Sequence, residues 1–273
     1  MTQFTSQSGS VEINGARLYY EVAGAGRSLV LLHAGVADSR MWGEQFQAFA
    51  QHYQVVSYDQ RGFGKSEVPT SAFAPHEELL QLLQHLGLAS ASIVGISYGG
   101  KVALDFALAY PDLVDALVLV APSVSGSEPA PDELAFYEAE EKALEDEDLD
   151  GATELNLRMW VDGPKRQPSE VDSQVRELVR EMQRHAFATV FPENAIELDL
   201  DPPAIDRLNE VQAPTLLIVG DYDIEARVEQ ARSLAERITN AQLKIIPGAA
   251  HLVNMEKPAE FNQAVLSFLA SQA

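Results

Sequence analysis

Through its first half the chain alternates between two kinds of stretch: short runs that are continuously apolar or alternate strictly, and longer ones whose apolar residues return every three or four positions. Val11 to Val22 alternates, and Asn14-Gly15 at its middle is a two-residue turn signal, so the chain is expected to open with an antiparallel hairpin. Ser28-Leu29-Val30-Leu31-Leu32 reads as a buried strand that ends at His33-Ala34-Gly35-Val36. The spacing predicts a helix over Ser39 to Gln51, with Met41, Trp42, Phe46 and Phe49 on its buried side. A strand follows at Tyr53 to Tyr58, then a loop Asp59 to Ser66, a helix Glu77 to Leu88, and strands ending at Ile96 and at Val120. Strands without polar alternation must be covered on both faces. Alternating with helices, they imply an α/β protein with a mostly parallel, doubly covered sheet of about eight strands.

The pattern breaks after Pro122. From Glu128 to Asp150 there are eleven acidic residues and one lysine, and a helical period returns only from Ser169 to about Phe187. Nothing in this stretch reads as strand, so residues 123–203 are expected to form an inserted helical cap over the carboxyl edge of the sheet. The core then comprises residues 1–122 and 204–273. The acidic run from Glu138 to Asp150 is expected to be a solvated helix face. Strands resume at Thr215 to Gly220 and Leu243 to Ile246, and a last helix spans Pro258 to Ala270.

One turn carries chemistry. Ser92 to Ile96 leads straight into Gly95-Ile96-Ser97-Tyr98-Gly99, and Val102 to Ala107 continues at helical period, so Ser97 sits on a sharp strand-to-helix turn. Glycines on either side let strand and helix approach, and backbone N–H groups at the helix start favour negative charge. Such a pentad arises by accident in roughly one chain in ten of this length, so it decides nothing alone. It needs partners. Groups that act on a ligand collect at the carboxyl ends of such strands. The strand ending at Gly220 is followed by Asp221-Tyr222-Asp223, and the one ending at Ile246 by a loop that reaches His251. A serine hydroxyl needs an imidazole to take its proton, and the imidazole needs a carboxylate to hold its tautomer. Both occur, in the order serine, aspartate, histidine.

Charge and composition narrow the field. With 41 acidic against 19 basic residues the formal charge is −22, which argues against nucleic acid and anionic membranes as partners. A small molecule is the expected partner, and oligomeric state is unreadable. There is no cysteine, hence no thiolate nucleophile or disulfide framework. No signal peptide or membrane span is visible, which leads us to expect a cytoplasmic protein. His52, His76, His85 and His185 lack partners at ligand spacing and read as surface or packing residues, so no metal is expected. The glycine-rich stretches lack the form of a dinucleotide or phosphate loop, and no cofactor is expected.

Taken together, Leu31-Leu32-His33-Ala34-Gly35 with Trp42, Asp59 to Ser66, Gly95 to Gly100, Gly220 to Asp223, and Gly248 to His251 with Glu256 and Pro258 resemble the α/β-hydrolase superfamily. The resemblance implies that the acid is Asp223 rather than Asp221, giving a triad Ser97, Asp223, His251. It implies an oxyanion hole from the Tyr98 N–H and that of Gly35, or of Val36 if the loop is shifted by one residue. His33 would be a loop anchor, and Arg61 an internal ion pair. Relatives that open epoxides or displace halide carry an aspartate at the nucleophile, so Ser97 implies acyl transfer, with a carboxylic ester or lactone as substrate. Carbon–carbon bond hydrolysis, perhydrolysis, or a slow ligand receptor on the same triad are the alternatives. Trp160, Val36 and Leu252 are the candidate pocket residues. Phe136, Tyr137, Leu155, Met159, Phe187 and Phe191 could line an apolar pocket above the serine, but the core of the cap is the preferred reading for them.

Overall fold

In the computed structural model, which describes residues 6–272, the eight strands are β1 Gln7–Ile13, β2 Ala16–Ala23, β3 Ser28–Leu32, β4 Gln54–Tyr58, β5 Ala91–Ile96, β6 Val114–Val120, β7 Thr215–Gly220 and β8 Ala241–Ile246. They form one sheet in the order β1-β2-β4-β3-β5-β6-β7-β8. The first two pairings are antiparallel and the other five parallel, as the sequence led us to expect. Asn14 and Gly15 turn the opening hairpin at φ 51° and 77°, the mirror-image turn whose twist matches that of the strands.

Successive residues of each central strand serve different cores. Leu29 and Leu31 pack with Phe46 of α1 (Gly43–Phe49) on one face, while Val30 and Leu32 pack with Leu79 of α2 (Pro75–His85) and Phe106 of α3 (Tyr98–Ala109) on the other. Every residue of β3 and β5 is buried, which is why neither strand shows polar alternation. The helix expected over Ser39 to Gln51 is instead a 3₁₀ turn, Ser39–Trp42, followed by α1. Asp38 produces that turn. Its carboxylate accepts the Arg40 N–H at 3.0 Å and its guanidinium Nε–H at 2.9 Å, tightening the first turn.

Between β6 and β7 lie α4 (Pro131–Glu145), α5 (Leu149–Asn156), a π-helical turn (Leu157–Asp162) and α6 (Ser173–Phe187). The acidic run is largely solvated, as expected, but Glu140 is an exception and faces inward. Helix α6 starts later than the periodicity predicts, because Pro168–Glu170 forms a separate 3₁₀ turn and Asp172 caps the Gln174 N–H at 2.8 Å.

The two ends of this insertion meet at one residue. The Ser125 carbonyl accepts the Ile205 N–H at 3.1 Å, its hydroxyl oxygen accepts the Ala204 N–H at 3.0 Å, and the hydroxyl donates to Asp105 of α3 at 2.6 Å. Burial raises the Asp105 carboxyl from 3.8 to about 6 against the opposing Ser125 bond. A folded-state value above the unfolded one means that ionising Asp105 costs stability, a cost absent below about pH 4 and complete above about pH 6. Asp105→Asn keeps an acceptor for Ser125 and removes the charge. Thermal unfolding should therefore show this variant more stable than the parent, by about 1 kcal/mol at pH 7.5, with the gap closing near pH 4. Equal melting curves at both values would show that Asp105 is not held in an unfavourable charge state.

Candidate active site

Ser97 stands between β5 and α3 with φ 53° and ψ −113°, a conformation that side chains rarely adopt. Neighbouring backbone holds it there: the Ser97 N–H donates to Val120 at 2.9 Å, and its carbonyl accepts the N–H of Ser123 and of Lys101, each at 3.0 Å. The flanking glycines are required by distance. A Cβ on Gly95 would lie 2.2 Å from the Gly99 carbonyl oxygen, and one on Gly99 would lie 2.4 Å from that of Leu32. The close crossing leaves Ser97 half-buried and facing a cavity of about 520 Å³ at the carboxyl edge of the sheet.

His251 and Asp223 reach the same edge on the loops after β8 and β7. The Nδ1–H of His251 donates to Asp223 Oδ2 at 2.8 Å, while Asp223 Oδ1 accepts the Ile224 N–H at 2.8 Å. Both residues are about 1% exposed. With Nδ1 engaged, Nε2 is the nitrogen left to act as a base, and His251, like Ser97, lines the cavity. Asp221, the other carboxylate on its loop, accepts the Gly248 N–H at 2.6 Å and ties the two loops together instead.

Gly35 and Tyr98 also line the cavity, and a Cβ on Gly35 would lie 3.4 Å from that of Tyr98. Among the described residues the N–H groups of Gly35, Val36 and Tyr98 donate to no protein acceptor. His33 lies beneath them, fully buried. Its Nδ1–H donates to the Ala34 carbonyl at 2.9 Å, its Nε2 accepts the Gln60 N–H at 2.9 Å, and burial lowers its pKa. A neutral imidazole spent on two backbone groups anchors the loop. Arg61 donates to Glu78 at 2.7 Å with both side chains buried, and to the Ile13 carbonyl, as an internal ion pair.

The cap side holds the departures from expectation. Trp160, on the π-helical turn, lies 4.6 Å from the His251 ring, centroid to centroid, and Val36 shares the cavity wall. Leu252 does not. Fully buried, it sits at the start of a short helix, Val253–Glu256, with its side chain in the core. Phe136, Tyr137, Phe187 and Phe191 line the cavity rather than only the core of the cap, whereas Leu155 and Met159 pack into the core as expected. The sequence reading missed Glu140, Asn156, Gln183 and Arg227 on the same wall. A signal existed for α4, since Glu133, Phe136, Tyr137 and Glu140 recur at helical spacing and mark an inward stripe within an acidic surface.

Charged residues fasten this wall to the loop that carries His251. Glu256 accepts the Ala250 N–H at 2.9 Å and pairs with Arg166 at 2.6 Å, while Arg166 donates to the Val161 carbonyl at 2.9 Å. The Trp160 turn and the His251 loop are thereby held by one buried ion pair. Among the described residues no group of three or more acidic or histidine side chains could hold a metal ion, and no helix is long and apolar enough to cross a membrane.

Residues 27–258 match the model of a family described as alpha/beta hydrolase fold. The protein named "Putative carbamate hydrolase RutD" from Caulobacter sp. (strain K31) is 29% identical over 277 residues, covering 98% of this chain and 99% of that protein. Among solved structures, a hydrolase from Pseudomonas aeruginosa superposes with a TM-score of 0.79 at 29% identity, covering 96% of this chain and 98% of that one. A thermophilic esterase from Thermogutta terrifontis superposes with a TM-score of 0.77 at 25% identity, with 99% of each chain covered. With the sheet order, the turn at Ser97 and a family match across most of its length, the chain belongs to the alpha/beta hydrolase family of enzymes.

Proposed function

We propose that this enzyme hydrolyses a small carboxylic ester or lactone through an acyl-enzyme formed on Ser97. The observation that carries the reading is the 2.8 Å bond from His251 Nδ1 to Asp223, at the wall of the cavity that Ser97 also faces. Asp223 fixes the tautomer that leaves Nε2 unprotonated, and its charge stabilises the imidazolium formed when His251 takes the Ser97 proton. The Ser97 oxygen adds to the substrate carbonyl, whose oxygen becomes negative and accepts the N–H groups of Tyr98 and Gly35. His251 then returns its proton to the leaving alcohol, and the acyl group stays on Ser97. Water, deprotonated by His251, adds to the acyl carbonyl, and the acid leaves as His251 returns that proton to the Ser97 oxygen.

In this reading residues 123–203 act as a cap. Trp160 and Phe136 wall the cavity beside His251, exclude bulk water and strengthen each charge interaction inside. The esterase among the structural relatives supports an ester substrate, and a carbamate, named for the bacterial relative, presents a carbonyl open to the same attack. A chromogenic aryl ester provides the test. Purified enzyme should release a burst of about one equivalent of chromophore and then turn over steadily, and a phosphonate ester should stop turnover by adding one adduct, on Ser97. Absence of turnover, or an adduct on another residue with full inhibition, would overturn the assignment.

A further inference from the structure

The cavity contains one carboxyl group that the hydrolytic steps do not use and no cation neutralises. Its other charged side chains each have an ion-pair partner. Arg61 pairs with Glu78, Arg227 with Glu133, and Glu197 with Lys101, a lysine it shares with Asp199. Glu140 accepts a hydrogen bond from the Asn156 amide and, among the described residues, forms no ion pair. A second acceptor lies idle on the same wall: Gln183 of α6 is 4% exposed, and its Oε1 has no hydrogen-bond partner. A buried acceptor without a partner, as Gln183 Oε1 is, is costly unless a ligand supplies the donor. Arg61 Nη1 and Arg227 Nε are unpartnered donors on the core side, but each belongs to a buried ion pair without net charge.

The position of Glu140 says which part of a substrate meets it. His251 protonates the leaving alcohol, so that alcohol lies beside the imidazole. The Trp160 ring lies 4.6 Å from that of His251, tilted by 43°, Phe136 meets Trp160 edge-on at 5.5 Å, and Glu140 is one helical turn beyond Phe136 on α4. The wall running from the imidazole along the leaving group ends in the carboxylate.

Building on the hydrolytic reading above, we propose that the cavity selects esters or lactones whose alcohol portion bears a protonated amine, held by Glu140 with Gln183 Oε1 as a further acceptor. Aromatic side chains along the path suit a cation, and the overall charge of −22 draws one in. Burial pushes the Glu140 carboxyl upward, and a bound ammonium group offsets that cost.

The test compares three butyrate esters at about pH 7, where the amine is protonated, by proton release: 2-(dimethylamino)ethyl butyrate, its neutral isostere 3-methylbutyl butyrate, and the anionic 2-carboxyethyl butyrate. The amine ester should exceed the isostere in kcat/KM by about tenfold, and Glu140→Gln should bring that ratio close to one. The wild-type ratio should also fall as salt is raised, and should Glu140→Gln fail to fold, Glu140→Asp, which keeps the charge but withdraws it by one methylene, should lower the ratio in its place. A wild-type ratio near one, a ratio that salt and a folded Glu140→Gln leave unchanged, or preference for the carboxyethyl ester would overturn the proposal. Hydrolysis of 3-methylbutyl butyrate that persists in Ser97→Ala would overturn the hydrolytic reading instead.

Discussion

Ser97→Ala is expected to lower kcat/KM on a chromogenic ester by about 10⁴-fold or more, with the folded state left within about 0.5 kcal/mol of the parent. The loss is large because the covalent path disappears: His251 has no hydroxyl to deprotonate, and the residual rate reflects binding and the oxyanion donors acting on water alone. The fold survives because the contacts that hold position 97 are made by its backbone, to Val120, Ser123 and Lys101, and alanine keeps all of them. Alanine brings no new atom, so the φ of 53° is neither relieved nor worsened. Steady-state rates, thermal unfolding and phosphonate labelling of the two proteins would together decide the point. A folded variant that still turns over within tenfold of the parent would show that another group attacks the carbonyl.

How far the sequence could lead is clearest at particular residues. The strands at Ser28–Leu32 and Thr215–Gly220 were legible because each is short, apolar throughout and bounded by glycine or a turn, and the structure buries every residue of both, with neither at an edge of the sheet. The turn at Ser97 was legible for a steric reason: only glycine at positions 95 and 99 permits the crossing, so the requirement is written into residue type. Asp223 and Asp221 could not be separated by spacing. What separates them is which carboxylate meets an imidazole and which meets the Gly248 N–H, a matter of loop conformation.

The cavity wall was the least legible part. Trp160 reaches His251 only because Leu157–Asp162 adopts a π-helical turn, and Asp162 at its end is fully buried, paired with Arg158 at 2.9 Å and Arg176 at 3.0 Å. Arg158 is a local partner at i,i+4 spacing, but Arg176 comes from another helix, and no local pattern announces that contact. Leu252 illustrates the opposite error, since adjacency to His251 in sequence puts its side chain on the other side of the loop, in the core. Glu140 was hidden by its neighbours, one carboxylate turned inward among many that face water.

The second large effect is expected at Asp223. Asp223→Asn should reduce kcat by about 10⁴-fold while changing KM little, because asparagine preserves volume and the acceptor for the Ile224 N–H but replaces the oxygen facing His251 with an amide. An amide N–H directed at Nδ1 makes that nitrogen an acceptor. The proton then moves to Nε2, the nitrogen that the proposed mechanism needs free to take the serine proton. The charge that stabilised the imidazolium is lost in the same substitution. Asp221→Asn provides the control on the same loop: it sits two residues away and binds the Gly248 N–H, which an amide oxygen still accepts, so its kcat should stay within about threefold of the parent. Measuring kcat and KM for both variants on one ester separates a tautomer-fixing carboxylate from a loop strut. If Asp223→Asn costs less than tenfold while Asp221→Asn costs more, the acid has been assigned to the wrong side chain, and the geometry around His251 must rearrange before it acts.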